Sequence, residues 1–142
     1  MIHQATSAIY EALMKVDGLH PTTKESGDTS AVWLQLSVEN GGGYAIRFIS
    51  SDEENDVAVR VFALLHPGEE RRARILPALN MLNCRNRYVK FVLDEDGDVN
   101  VEYDFPRKTI DPGQCAHEIA ACLASIIDEA YPVLMKAMWG QG

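Results

Sequence analysis

The chain has 142 residues and a formal net charge of -8, and its 46% hydrophobic and 24% charged residues are ordinary globular values. This size predicts one domain over residues 1–142 that buries a core without disulfides or metals. The negative charge argues against nucleic-acid binding, which depends on clustered Lys and Arg. No stretch approaches a membrane span, and residues 1–10 show no signal peptide. Three cysteines without a CxxC pair suit a reducing cytoplasm.

The first predicted elements are a helix and three strands. Residues 4–16 carry apolar side chains at helical spacing, and Asp17-Gly18 ends that helix. Residues 19–28 are polar and predict a loop. Residues 31–39 and 44–50 alternate and form a hairpin around a turn at Asn40-Gly41-Gly42-Gly43, and residues 57–65 are the next strand.

Prolines mark the remaining helices. Pro67 lies where the second helix starts, and Pro77 should kink or restart it. Asp111 followed by Pro112 starts the last helix with an acidic cap and a proline in the first position. Pro132 interrupts this helix, and an apolar tail follows with Met135, Met138 and Trp139.

Between these helices, two further strands form a hairpin whose register follows from the residues themselves. A three-residue loop at 95–97 places Phe91 opposite Val101 and Lys90 opposite Glu102, so that apolar side chains meet and the charges pair. A two-residue loop would instead place Phe91 opposite Glu102. The three-residue loop is therefore preferred, and it requires Gly97 in a left-handed conformation.

The order of elements is α-β-β-β-α-β-β-α, without an internal repeat or a linker. Because hairpins join the strands, we expect a mostly antiparallel five-stranded sheet with three helices largely on one face. The sequence therefore predicts an α+β domain.

The residue types that commonly carry chemistry do not form a site pattern. Asp94, Asp96 and Asp98 resemble the start of a calcium loop, but Gly97 lies between the second and third acids and strands flank them, which predicts an ordinary turn. The four histidines share no metal-ligating spacing, and two cysteines seven apart indicate packing on one helix stripe. No GxSxG, Walker or GxGxxG sequence occurs. We therefore predict no catalytic residue, no metal and no cofactor, and a protein that is not an enzyme.

The second face of the sheet is the more informative feature. With helices on one face the other should be polar, yet it offers a set of apolar and aromatic side chains, namely Trp33, Ile49, Phe62, Leu64, Tyr88 and Val92. An exposed apolar patch of this kind usually marks an interface. Three occupants compete for it: a helix of the same chain, such as the apolar tail, a second copy of the chain, or a client polypeptide.

Residues 76–105 resemble the YbjN-like family. The features that its members commonly show are present as Asn80-Met81-Leu82-Asn83, a strand at 87–93, the acidic turn Asp94-Glu95-Asp96-Gly97-Asp98 and a strand at 99–104. The order of elements agrees over nearly the whole chain. That family is similar in fold to the type III secretion chaperones, which implies a curved antiparallel sheet with helices, often paired as homodimers.

This resemblance implies a small bacterial cytoplasmic protein that binds other polypeptides or has a regulatory role. The family has no established catalytic residues that could be assigned to positions of this sequence. It also directs attention to Asn80 and Asn83, whose side-chain amides we expect to have a structural role in tying the helix end to the strand turn.

Three hypotheses of function remain open. The first is a non-enzymatic polypeptide-binding module, a chaperone-like or regulatory adaptor that holds a protein or peptide client on its sheet face or in a helix groove. The second is a homodimeric sensory or regulatory protein whose apolar face is only the dimer seal, with a regulatory surface elsewhere, such as the arginines at 71–74. The third is an enzyme or metal-binding protein that uses His66 or His117.

Overall fold

The computed structural model describes residues 1–39 and 41–140, which form three α-helices, one 3₁₀ turn and one sheet. The helices are α1 (Gln4–Met14), α2 (Arg72–Arg85, preceded by the 3₁₀ turn Glu69–Arg71) and α3 (Pro112–Trp139). The strands are β1 (Thr22–Ser26), β2 (Thr29–Ser37), β3 (Gly43–Ser50), β4 (Val57–Leu65), β5 (Lys90–Leu93) and β6 (Val99–Phe105). The α+β class and the antiparallel sheet predicted from the sequence are confirmed.

The sheet has six strands, in the order β1-β2-β3-β4-β6-β5, rather than the predicted five. The additional strand is β1, which lies inside the segment predicted to be a polar loop and pairs with β2 from Thr22↔Trp33 to Ser26↔Thr29. All five residues of β1 are exposed. A strand without a buried face has no apolar alternation, so the pattern that reveals a strand is missing here. Asn40, in the predicted turn between β2 and β3, lies outside the described residues.

The register predicted for the β5–β6 hairpin is confirmed. Lys90 lies opposite Glu102 and Phe91 opposite Val101. Gly97 has φ +81°, in the left-handed region, and its N–H donates to the carbonyl of Asp94 at 3.1 Å. The turn is therefore specified locally, by the one residue that adopts this conformation without a steric penalty.

The core lies between the three helices and one face of the sheet. Alternate strand residues such as Val32, Phe48 and Val59 are fully buried there, as are Ile9 of α1 and Ile127 of α3. The first turn of α3 lies close to α1 at Gly113. A side chain at this position would place its Cβ atom only 3.2 Å from the carbonyl oxygen of Ala8, so glycine permits the close approach of the two helices.

The last helix begins as predicted but does not end as predicted. The Asp111 side chain accepts hydrogen bonds from the N–H groups of Gly113 at 3.0 Å and Gln114 at 3.4 Å, so the acidic cap is confirmed. The interruption predicted at Pro132 is wrong, because α3 is one helix of 28 residues, Pro112–Trp139, that includes Pro132. Residues on both sides of this proline, among them Leu134, are buried in the core, and their packing offsets the missing hydrogen bond.

Candidate functional site

The candidate site is the sheet face that lies opposite the helices, which we call the open face. Cross-strand pairing places Trp33, Arg47 and Arg60 in one row across β2, β3 and β4, and Ala31, Ile49 and Ala58 in the adjacent row. None of these side chains belongs to the helix-covered core. The open face is therefore a surface of its own, built from the alternate positions of strands whose other side chains are buried.

Four of the six residues predicted for this face lie on it, namely Trp33, Ile49, Phe62 and Val92. Phe62 is the most exposed of them, at 43% of its maximal surface. The other three are half-buried among their neighbours on the sheet. The structure thus places these four apolar side chains on one face, where Arg47, Arg60 and Glu102 lie between them.

Leu64 turns away from the open face because β4 contains a bulge. The β4–β6 register shifts between Val61 and Leu65, and Ala63 has φ +52°. The four steps of β4 from Val61 to Leu65 span only the two steps of β6 from Val101 to Val99, so β4 carries two extra residues here. The irregular backbone around Ala63 brings Leu64 into contact with the core. Asn100 supports the bulge, since its side-chain oxygen accepts a hydrogen bond from the N–H of Ala63 at 2.8 Å.

Tyr88 also lies away from the open face, on the helix side. It precedes β5, is 72% exposed, and its ring meets that of Tyr103 edge-on with centroids 6.3 Å apart. Both tyrosines line a largely apolar cavity of about 330 Å³ between the sheet and α3, which also contains Cys115 and Cys122. Burial raises the pKa of the Cys115 thiol and thus favours its protonated form.

The apolar tail does not cover the open face. Met138 is buried in the core on the helix side, and the Arg71 guanidinium stacks on the Trp139 ring at 3.8 Å from its centroid. Of the three expected occupants, a helix of the same chain is therefore excluded for residues 1–39 and 41–140.

The open face combines aromatic rings with positive charge, which the sequence reasoning missed. The Arg47 guanidinium carbon lies 4.0 Å from the centroid of Trp33 and 4.9 Å from that of Phe62. The Lys24 ammonium lies 5.3 Å from the centroid of Trp33. Arg47 could have been found from the hairpin register, which places it opposite Trp33. Lys24 could not, because β1 carries no strand pattern.

Asn83 and Asn80 differ in what their side chains contact. The amide of Asn83 accepts a hydrogen bond from the N–H of Phe91 at 2.7 Å and donates to its carbonyl at 3.0 Å. This joins α2 to β5. Asn80 is exposed, and its side chain makes no hydrogen bond within the described part of the chain.

The residues of the metal or enzyme hypothesis lie apart. His66 is exposed and contacts the carboxylate of Asp98, whereas His117 lies exposed on α3. Among residues 1–39 and 41–140 there is no group of three or more His, Cys, Asp or Glu side chains that could hold a metal ion. Over the same residues, none of the helices has the length and apolar character needed to span a membrane.

Comparison with known proteins agrees with this architecture. The sequence model of the YbjN family, described as "Putative bacterial sensory transduction regulator", matches residues 11–135. A solved structure with a similar fold is that of the Yersinia pestis type III secretion chaperone SycH in complex with a stable fragment of YscM2. The two chains are 13% identical with a TM-score of 0.52, and the match covers 92% of this chain and 99% of that one. At this identity the likeness shows the fold alone. A comparison with curated proteins gave no significant match.

Proposed function

Because this chain belongs to the YbjN family, we propose that it is a non-enzymatic polypeptide-binding protein of the bacterial cytoplasm. It acts as a chaperone-like or regulatory adaptor, and it holds its partner on the open face of the sheet. The fold neighbour supports this proposal to the extent that SycH was crystallised with a protein fragment.

The observation that carries the proposal is the uncovered apolar surface of the open face. Phe62 exposes 43% of its surface in the middle of a sheet whose helices all pack on the other side. Leaving apolar surface of this extent in water costs free energy, roughly 25 cal/mol per Å². A partner that covers Phe62 and Val92 recovers that free energy on binding.

A photo-crosslinking experiment tests the proposal. Benzoylphenylalanine replaces Phe62 in one variant and Tyr88 in another, which is also an exposed aromatic residue but lies on the helix side. Irradiation in the native cell should join the position-62 variant to a different polypeptide. The position-88 variant should give no such adduct, and adding Val92→Asp to the position-62 variant should abolish it.

Two outcomes would contradict the proposal. An adduct of the position-62 variant with a second copy of the same chain would favour the homodimer, in which the open face is only a dimer seal. Adducts of equal yield from positions 62 and 88, or none from position 62, would show that the open face is not the docking surface.

A further inference from the structure

We propose that the partner binds through an acidic segment, and that a carboxylate flanked by apolar side chains docks in a groove of the open face beside Trp33. This inference rests on the proposed function, because it names the chemistry of the polypeptide that the open face would hold. The groove is lined by residues of three strands, and its charged members are Lys24 and Glu25 of β1 and Arg47 of β3. Ala31 and Trp33 of β2 and Ile49 of β3 supply its apolar surface.

The groove has an apolar floor and space for about one side chain. Ala31 lies opposite Ile49 in the β2–β3 ladder, and Trp33 lies opposite Arg47 in the next row. The groove is shallow and open to solvent, with a volume of about 200 Å³. On β1, the other neighbour of β2, Lys24 pairs with Ala31 and places a cation beside the apolar floor of the groove.

The two cations of the groove lack a carboxylate partner within the described part of the chain. The neighbouring acids are already engaged: Glu25 pairs with the amino terminus at 2.5 Å, and Arg60 pairs with Asp104 at 2.6 Å and with Glu102 at 3.9 Å. No carboxylate lies within 4.0 Å of Lys24 or Arg47 among residues 1–39 and 41–140.

Arg47 is held in a position that suits an anion. Its guanidinium lies between the rings of Trp33 and Phe62, and its Nε atom is buried with no hydrogen-bond partner among the described residues. Aromatic rings stabilise a guanidinium only in part, whereas a carboxylate accepts two parallel hydrogen bonds from it. Ordering the side chain before binding lowers the entropic cost of that ion pair.

The setting favours a carboxylate on a polypeptide over other anions. A free inorganic anion would leave the apolar floor and Phe62 uncovered. A nucleic acid needs a run of phosphate contacts from clustered Lys and Arg, whereas this groove offers two cations. In the acidic turn at residues 51–56, Asp52 and Glu53 already accept hydrogen bonds from main-chain N–H groups of their own chain, which leaves Glu54 and Asp56 for a second copy to offer.

A titration monitored at the two tryptophan indole N–H resonances tests this inference. The probes are two short peptides that differ at one position, with a central Leu-Glu-Leu or Leu-Gln-Leu between glycine and serine residues. Trp33 reports on the groove, and Trp139, which is stacked by Arg71 on the helix side, is the internal control. The glutamate peptide should shift the Trp33 resonance saturably and leave Trp139 unchanged. The glutamine peptide should bind about tenfold more weakly, because it lacks a charge-assisted hydrogen bond.

Variants assign the preference to the groove cations. Arg47→Gln should remove the difference between the two peptides, and Lys24→Gln, on the exposed edge strand, should reduce it without affecting folding. Arg87→Gln, an exposed arginine on the helix side, should leave the preference unchanged. Circular dichroism identical to that of the wild type establishes that each variant is folded.

Each contrary result overturns the inference; the first two leave the proposed function standing, whereas the third contradicts it as well. Equal binding of the two peptides would mean that the open face recognises apolar polypeptides without using charge. Binding of neither peptide, together with the position-62 adduct, would place the partner elsewhere on the open face. A Trp33 resonance that shifts with protein concentration alone would identify a second copy as the occupant.

Discussion

At the scale of single residues, the Asp94 carboxylate joins three groups of the β5–β6 turn and β6. One carboxylate oxygen accepts hydrogen bonds from the N–H groups of Asp96 at 2.9 Å and Asp98 at 3.0 Å, and the other accepts from the amide of Asn100 at 2.8 Å. These bonds favour the charged form, and the N–H of Asp98 contributes most to holding the pKa of Asp94 below its usual range. The acids that resembled a calcium loop therefore form a self-contained turn.

The lowered pKa of Asp94 makes a prediction about acid stability. Its contribution to the free energy of unfolding is present above the ordinary aspartate pKa of about 3.9 and is lost as the pH falls through the lower pKa of the folded state. Asp94→Asn should therefore show a smaller loss of unfolding free energy between about pH 5 and about pH 2 than the wild type. Urea unfolding followed by circular dichroism measures this loss.

Asp96→Asn is the matched control for that measurement, because the Asp96 side chain is exposed and accepts no hydrogen bond among the described residues. It should retain the pH dependence of the wild type. The same pH dependence in Asp94→Asn and in the wild type would show that this carboxylate does not stabilise the turn.

At the scale of elements, the contact between α2 and β5 closes one edge of the sheet. β5 has a strand neighbour only on one side, and the Asn83 amide satisfies both main-chain groups of Phe91. An edge strand with free N–H and C=O groups invites pairing with another chain. The opposite edge, β1, has no such cover but carries Lys24, a residue type that discourages unwanted pairing.

Asn83→Ala should destabilise the protein by about 1–3 kcal/mol, since it removes two hydrogen bonds and leaves the Phe91 main chain unsatisfied. The amide hydrogen of Phe91 should also exchange faster with solvent. Asn80→Ala, three residues earlier on α2 and exposed, should change the free energy of unfolding by less than about 0.5 kcal/mol. Equal effects of the two substitutions would mean that the amide tie between α2 and β5 carries no energetic weight.

At the scale of the whole molecule, the two faces of one sheet differ in burial. Val61 and Phe62 are adjacent on β4, yet Val61 is fully buried against the helices and Phe62 is exposed on the open face. One face therefore supplies the stability of the fold, and the other is available for contact without loss of the core.

This difference predicts opposite results for the same substitution at neighbouring positions. Val61→Asp should prevent folding, because an unpaired buried charge costs several kcal/mol or more, against a total stability of about 5–15 kcal/mol. Phe62→Asp should remain folded and lose about 1 kcal/mol. Thermal unfolding followed by circular dichroism distinguishes the two variants. If Phe62→Asp also fails to fold, the open face belongs to the core and cannot be a docking surface.

Much of the fold could be predicted from local patterns, whereas the candidate site could be predicted only in part. The Asp111 cap and the β5–β6 register depend on residues a few positions apart, and both are confirmed. Trp33, Ile49 and Val92 lie on the expected face because their stretches of strand alternate regularly, and Phe62 lies on it because it directly follows Val61, the last regularly paired residue before the bulge. Leu64 and Tyr88 do not, since a bulge redirects the first and the second precedes its strand.

The sequence by itself determined the class of the fold, the hairpins and which side chains alternate, because these follow from interactions between neighbours along the chain. Only the tertiary structure decided that residues 22–26 join the sheet, that α3 continues through Pro132, and that Lys24 lies beside Trp33. The physical reason is the same in each case. A polar edge strand, a proline within a packed helix and a cation beside an aromatic ring are stabilised by partners that are distant in sequence, so that no local pattern indicates them.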